Sequence, residues 1–275
     1  MKNEVYNTTF ICNSQLMEKN AADLIRYYDG TVVYEVIRVI DGIPLFMEDH
    51  LLRLHNSASL AGFFIAISDS EIINSIKQLT IENQIFNGNV KLLFQHKEHQ
   101  PLQFLCFFIQ HNYPNELQYK NGVKVRLYEA ERKNPNAKLL HSKLHQASEN
   151  EIHNNDIYEI LYVNKNAWIT EGSKSNVFFF KENVLYTAPK KMVLPGITRK
   201  YVIKYAHLSD INVVEESVHS KNIDQYDAAF ISGTSPKILP ISFIGSIKYN
   251  VNHPLLEKLM KDYDEEIENY IYQFS

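Results

Sequence analysis

Thr31-Val-Val-Tyr-Glu-Val-Ile-Arg-Val-Ile-Asp-Gly-Ile-Pro-Leu-Phe46 sets the fold class of this chain. Its first ten residues are mostly β-branched or aromatic and alternate in part, the pattern of a half-buried strand. Asp41-Gly42 tolerates the positive φ of a type I′ turn, so Ile43 onward returns as a second, antiparallel strand. Downstream the period changes. Leu51, Leu54, Ala58 and Ala61 recur at helical spacing over about 48–63, and Ile72, Ile73, Ile76 and Leu79 do so over about 69–84. Two further strands are expected at 89–95 and 102–110, separated by the polar Lys97-Glu-His-Gln-Pro101.

The polar, Pro-containing stretch 111–121 reads as a domain boundary. Beyond it, strands are expected near 122–129, 157–163, 167–171, 176–181 and 184–188, with one helix at about 139–154. Another helix starts after Leu194-Pro-Gly196, strands follow near 211–216 and 228–233, and an amphipathic helix begins at Pro254. This order is α+β, with a smaller N-terminal part and a larger, strand-rich C-terminal part.

Composition narrows the function. The nine glycines among 275 residues are never closer together than 12 positions, which excludes G-x-G-x-x-G, the P-loop and G-x-S-x-G. A net charge of −4 argues against bulk nucleic-acid binding, which wants a basic face. No apolar run approaches the ~18 residues of a membrane span, and the first residues lack the shape of a signal peptide. Cys12 and Cys106 offer neither a disulfide framework nor C-x-x-C, so a cytoplasmic protein is expected.

Eleven histidines invite a metal site. His141, His145 and Glu149 share one face of the expected helix, but no H-E-x-x-H is present, and no metal is expected. No serine or cysteine sits in a recognisable nucleophile motif. Three segments are better placed. In Leu194-Pro-Gly-Ile-Thr-Arg199, a helix start offers free N–H groups and a hydroxyl to an anion. Phe230-Ile-Ser-Gly-Thr-Ser235 ends a buried strand in a hydroxyl-bearing turn, and Thr170-Glu-Gly-Ser-Lys-Ser-Asn176 ends one in a carboxylate.

The order of these segments resembles the class IV aminotransferases, the fold-type IV family of pyridoxal-phosphate enzymes. That family includes branched-chain and D-amino-acid aminotransferases and aminodeoxychorismate lyase. The marks run from Tyr34-Glu-Val-Ile-Arg-Val-Ile-Asp-Gly42 through His50-Leu-Leu-Arg-Leu54 with Ser57-Ala58. Glu171-Gly-Ser-Lys-Ser-Asn-Val-Phe178, Leu194-Pro-Gly-Ile-Thr-Arg199 and Ser232-Gly-Thr-Ser235 with Pro240 complete them. The resemblance implies a two-domain fold: a smaller N-terminal α/β sandwich over 1–113 and a larger strand-rich pseudo-barrel over 114–275. It also implies an active site in the cleft between them, and a homodimer.

By the same resemblance, Lys138, 21 residues before Glu159, is the Schiff-base lysine and general base, with Lys143 a less well spaced rival. Glu171 pairs with the pyridine nitrogen, and Ser175 and Asn176 shape the other edge of the ring. Arg53, Gly196, Ile197, Thr198 and Thr234 hold the phosphate. Tyr34, Lys91 and Ser235 are candidates for the substrate. Without the resemblance, Arg53 is a solvated helix arginine pairing with Asp49, Lys138 a surface lysine, and Tyr34 and Lys91 fillers of a half-buried strand. The chain departs from the family's pattern in Gly30-Thr-Val32 and in lacking a tyrosine shortly after Lys138, where His141, Ser142 or Lys143 are the available substitutes. The implied activity is amino transfer between an amino acid, branched-chain among the options, and a 2-oxo acid, with ping-pong kinetics. The alternatives are aminodeoxychorismate lyase, which releases pyruvate and 4-aminobenzoate, and a non-catalytic pyridoxal-phosphate-binding homologue.

Overall fold

Asp41 and Gly42 both take positive φ, 52° and 82°, in the computed structural model. This is the type I′ geometry whose twist matches the flanking strands. The structure describes residues 9–18 and 29–274, of Ser142 only the backbone. They form two units: the chain up to Asn112 with Ala137–Leu140 and the residues from Ile267, and Tyr113–Asn136 with His141–Glu266.

In the first unit, strands β1 (Thr9–Cys12), β2 (Gln15–Glu18), β3 (Thr31–Ile40), β4 (Ile43–Pro44), β5 (Gly88–His96) and β6 (Gln103–Ile109) make one sheet in the order β2-β1-β6-β5-β3-β4. Every pairing is antiparallel. Helices α1 (Met47–Leu60) and α2 (Asp69–Asn83) pack on one face, where Val33, Ile37 and Val39 of β3 and Val90, Leu92 and Phe94 of β5 meet Leu51, Leu54, Ile72, Ile76 and Leu79. The other parity of β3, β5 and β6 puts Val32, Leu93, Leu105 and Phe107 into a second, smaller cluster. Strand period and helix period thus meet as expected.

The first unit departs from the sequence reading in two places. α1 stops at Leu60 rather than 63, because Gly62 turns left-handed (φ 83°) and two backbone bonds close the helix, Gly62 to Ser59 and Phe63 to Ala58. This is a Schellman end. The β1–β2 hairpin was not expected at all; its turn uses Asn13 and Ser14 at positive φ (48° and 64°) in place of glycine, which leaves little signal.

The second unit holds strands β7 (Val123–Glu129), β8 (Glu159–Val163), β9 (Ile169–Gly172), β10 (Asn176–Lys181), β11 (Val184–Thr187), β12 (Asn212–Val214), β13 (Ala228–Gly233), β14 (Lys237–Ile244) and β15 (Ile247–Lys248). Its helices are α3 (Glu116–Asn121), α4 (Ser142–Asn155), α5 (Ile197–Leu208) and most of α6 (Pro254–Phe274). Six strands close into a ring, β10-β13-β14-β7-β8-β9, because β9 pairs with both β8 and β10. Each ring strand sends apolar residues to one shared cluster, among them Val125, Leu161, Ile169, Phe179, Ile231 and Leu239. The ring closes at the pair Glu171–Asn176. β14 was not foreseen, since Pro240 in its middle argues against a central strand.

The helix expected at 139–154 begins only at Ser142. Residues 138–140 are instead extended beside β3, with Tyr34 N–H donating to the Lys138 carbonyl at 3.1 Å and Leu140 N–H to Val32 at 2.9 Å. Leu139 packs in the helix-side cluster and Leu140 in the opposite one, the alternation of a strand. The edge is available because β4 pairs only with Val39 and Ile40.

Candidate active site

In the first unit, one residue on the helix-facing parity of β3 is charged. Glu35 lies between Val33 and Ile37, fully buried, and points at α1. α1 answers with His50, Arg53 and Ser57, all buried, at i, i+3 and i+7 and so on one face. Arg53 forks onto Glu35, Nε to Oε1 at 2.7 Å and Nη2 to Oε2 at 2.6 Å. His50 Nδ1 adds a bond to Oε2 at 2.9 Å, which puts its proton on Nδ1. Burial alone would push the Glu35 carboxyl up, but the charge and hydrogen bonds of Arg53, with those of His50, hold it well below the usual carboxylate range. For His50, burial dominates and holds the imidazole below its ordinary value, opposed by Glu35 and reinforced by the charges of Arg53 and Lys138. Arg53 is therefore a buried guanidinium with a carboxylate partner, not a solvated helix arginine.

Lys138 is half-buried. Its backbone N–H donates to the Ser57 hydroxyl at 3.1 Å, and its Nζ lies 4.7 Å from the centroid of the Tyr34 ring. Lys91, on the neighbouring strand and buried, sets its own Nζ 5.2 Å from the same ring. Tyr34 and Lys91 share the sheet face opposite α1 as a diagonal pair, two residues out of register. Three of the expected residues, Tyr34, Lys91 and Lys138, thus meet at one aromatic ring.

The second unit builds its group around the ring closure. Glu171, Asn176 and Ser232 are direct cross-strand partners, so they form a row on one face. Glu171 Oε2 accepts from Leu194 N–H at 3.0 Å, and Oε1 pairs with Arg132 Nε at 3.1 Å. Asn176 Nδ2 donates to the Leu194 carbonyl at 3.0 Å. The Leu194-Pro-Gly turn is therefore gripped from both sides. A Cβ at Gly196 would collide with Asn176 Oδ1, so any larger residue there must displace that amide. α5 starts at Ile197 with no side chain capping its first N–H groups. Thr198 is buried and its hydroxyl contacts Tyr263 on α6 at 3.2 Å. Thr234 and Ser235, both half-buried, lie in the turn joining β13 to β14, next along the chain from Ser232.

The Ser175 hydroxyl donates to Glu159 at 3.3 Å, as do the Ser173 hydroxyl at 2.6 Å and the Ser173 and Lys174 N–H groups at 3.2 and 3.3 Å. Glu159 is a buried carboxyl that organises the 173–175 turn. Burial pushes its carboxyl above the ordinary value, partly opposed by the Ser173 bond. Of the proposed substitutes for the absent tyrosine, His141 is half-buried and held below its ordinary value by burial and by the charges of Arg132 and Lys133. The Ser142 side chain lies outside the described residues, and Lys143 is exposed. Among the described residues, no group of three or more His, Cys, Asp or Glu is arranged to hold a metal, and no helix is long and apolar enough to cross a membrane.

Sequence reasoning gave no role to Glu35, His50, Ser57, Arg132 or Glu159. The first three had a signal: a lone carboxylate on the apolar parity of β3, and polar residues at i, i+3 and i+7 amid an apolar stripe. Arg132 lies in an irregular segment with no period to read. The donor set fits pyridoxal phosphate on two grounds. α5 presents uncapped N–H groups to an anion, and the Ser232 hydroxyl is buried without a hydrogen-bond partner.

Residues 32–244 match the family described as amino-transferase class IV. The D-alanine aminotransferase of Bacillus licheniformis is 29% identical over 252 residues, 84% of this chain and 87% of that relative. The fold is similar to that of the T.th. branched-chain amino acid aminotransferase solved with pyridoxamine 5'-phosphate, with a TM-score of 0.84 at 20% identity over 97% of this chain and 96% of that one. It is also similar to that of a Legionella pneumophila protein described as a putative 4-amino-4-deoxychorismate lyase, with a TM-score of 0.77 at 22% identity over 87% and 92%. The architecture is the α+β fold of type IV aminotransferases, and this chain belongs to the class IV aminotransferase family.

Proposed function

We propose that the chain is a pyridoxal-phosphate aminotransferase that moves an amino group between a small amino acid and a 2-oxo acid, with Lys138 as the reactive lysine. The observation that carries this is the placement of Lys138. Its N–H and C=O are both bonded within the first unit, and its Nζ lies over Tyr34 beside the buried Lys91. When bound, the cofactor supplies an aldehyde carbon that takes the amino group and a ring that holds the electron pair left on the substrate Cα. Lys138 Nζ would hold the cofactor and would take the proton from the substrate Cα. Glu171, oriented by Arg132 and Leu194 N–H, would accept a hydrogen bond from the ring nitrogen. Asn176 orders the Leu194-Pro-Gly turn. Arg53, the N–H groups of Ile197 and Thr198, and Thr234 take the phosphate. Tyr34, Lys91 and Ser235 take the substrate carboxylate, so donor and acceptor use the same groups in turn. The reading includes a cytoplasmic homodimer, as the family implies.

The test uses the purified full-length protein and its Lys138→Ala variant. An absorbing, borohydride-trapped adduct on Lys138 is expected, along with turnover of D-alanine or a branched-chain amino acid that requires a 2-oxo acid. The family relatives' names support those donors. Pyruvate release from aminodeoxychorismate without any 2-oxo acid would assign the lyase activity instead. Full turnover and an unchanged chromophore in Lys138→Ala would overturn the role of the lysine.

A further inference from the structure

Ser57 is fully buried on α1. Its hydroxyl donates to the Arg53 carbonyl at 2.8 Å, the back-bond a helical serine makes to the preceding turn. A hydroxyl has one proton and two acceptor sites. With the proton committed to Arg53, the oxygen can only accept from elsewhere, and the Lys138 N–H fills that role at 3.1 Å. The bond leaves the β ladder: Lys138 accepts from Tyr34 in the plane of the sheet, while its own N–H reaches out of that plane to the helix.

Ala137–Leu140 is only four residues long, and the chain on both sides of it groups with the other unit. Two ladder bonds at a sheet edge are a weak anchor, since such short edge pairings fray. The Ser57 bond adds a third point, from a helix whose apolar face is packed into the core. We propose that Ser57 is a positioning residue for the reactive lysine: its hydroxyl fixes the Lys138 main chain so that Nζ is held over Tyr34 before the cofactor arrives. The inference rests on the reading of Lys138 given above. Ser57 touches neither cofactor nor substrate in this scheme; it acts through the lysine.

The physical consequence is a change in population. Without the hydroxyl, the segment spends part of its time out of place, and cofactor affinity falls by the fraction still competent. The loss of one buried hydrogen bond multiplies the out-of-place to in-place ratio by about tenfold, which is the ceiling on the loss of affinity. The measurement is the affinity of the cofactor-free full chain for pyridoxal 5'-phosphate, followed by the lysine-linked chromophore where it forms and by fluorescence quenching throughout. It is made for Ser57→Ala, Lys138→Ala and the double variant. Ser57→Ala should weaken binding by more than about threefold and up to about tenfold in the native background, and less than twofold in the Lys138→Ala background. Ser57→Thr, which keeps the hydroxyl, should stay within about threefold of the native affinity. If alanine prevents folding, Ser57→Cys, close in size but a weak acceptor, takes its place with the same expectation. Equal weakening in both backgrounds, or none in the native one, refutes the role of Ser57. An unchanged affinity and chromophore in Lys138→Ala refutes the role of the lysine instead, so the two failures are told apart.

Discussion

Glu35→Ala is expected to destabilise the cofactor-free protein by about 3–5 kcal/mol, the usual cost of deleting one partner of a buried ion pair. Glu35 is 0% exposed and Arg53 7%, so water cannot replace the lost carboxylate without opening the sheet–helix interface. Three bonds end on the two Glu35 oxygens, at 2.6, 2.7 and 2.9 Å. Their removal strands a guanidinium charge and an imidazole donor together. An exposed pair would have been worth about 0–1 kcal/mol, which is why burial decides the size of the effect. For a protein of this size the loss corresponds to a fall in Tm of roughly 6–20 °C. The assay is thermal and urea unfolding at pH 7, followed by far-UV circular dichroism. The variants are Glu35→Leu, Arg53→Met and their double, alongside Glu35→Ala. Replacing a buried pair by apolar residues of similar volume is often nearly neutral, so the double should recover most of what either single change loses. A loss under about 1 kcal/mol in Glu35→Ala, or a double no better than the sum of the singles, would refute the reasoning.

Acid sensitivity should follow from the same cluster. His50 is held below its ordinary value in the fold, so the unfolded chain binds the proton more readily. Stability is therefore present above about pH 6.5 and falls as pH drops below it, and His50→Asn should flatten that part of the curve. Glu35 adds a second loss at lower pH, below about 4.3, where the unfolded carboxyl protonates while the folded one resists. Gly196→Ala should displace the Asn176 amide from the Leu194 carbonyl, because the new Cβ would collide with Asn176 Oδ1. The expected result is weaker pyridoxal 5'-phosphate binding by equilibrium titration, with far-UV circular dichroism unchanged. Tyr270→Phe should cost about 1 kcal/mol in urea unfolding, since the Tyr270 hydroxyl accepts from Met47 N–H at 3.0 Å at the start of α1, where no side chain of the helix itself provides a cap.

Much of the fold was legible because it rests on local rules. The Asp41-Gly42 turn, the alternation in β3 and the 3.6 period of α1 and α2 each show in short windows, and the structure follows them. The misreadings arose where a distant partner overrides local preference. β14 carries Pro240 yet sits between β13 and β7 in the ring, held by pairing on both sides. Residues 139–141 read as the start of a helix, but the open edge of β3 draws Leu139 and Leu140 into an extended segment whose leucines reach opposite faces. Lys138 owes its placement to that pairing.

The sequence by itself determined the α+β class and the family, and singled out Lys138, Arg53, Glu171 and the Leu194-Pro-Gly turn as candidates, because residue type and spacing are local properties of the chain. Only the tertiary structure decided who partners whom. Glu35 against Arg53 and His50, Arg132 against Glu171, and Ser57 against Lys138 are separated by 15 to 81 residues in the chain. Each pairing exists because burial removes water as a competitor and leaves every polar group only the partner that packing brings to it. No window of sequence contains that information. The sheet edge, the helix face and the closing pair of the ring supply it.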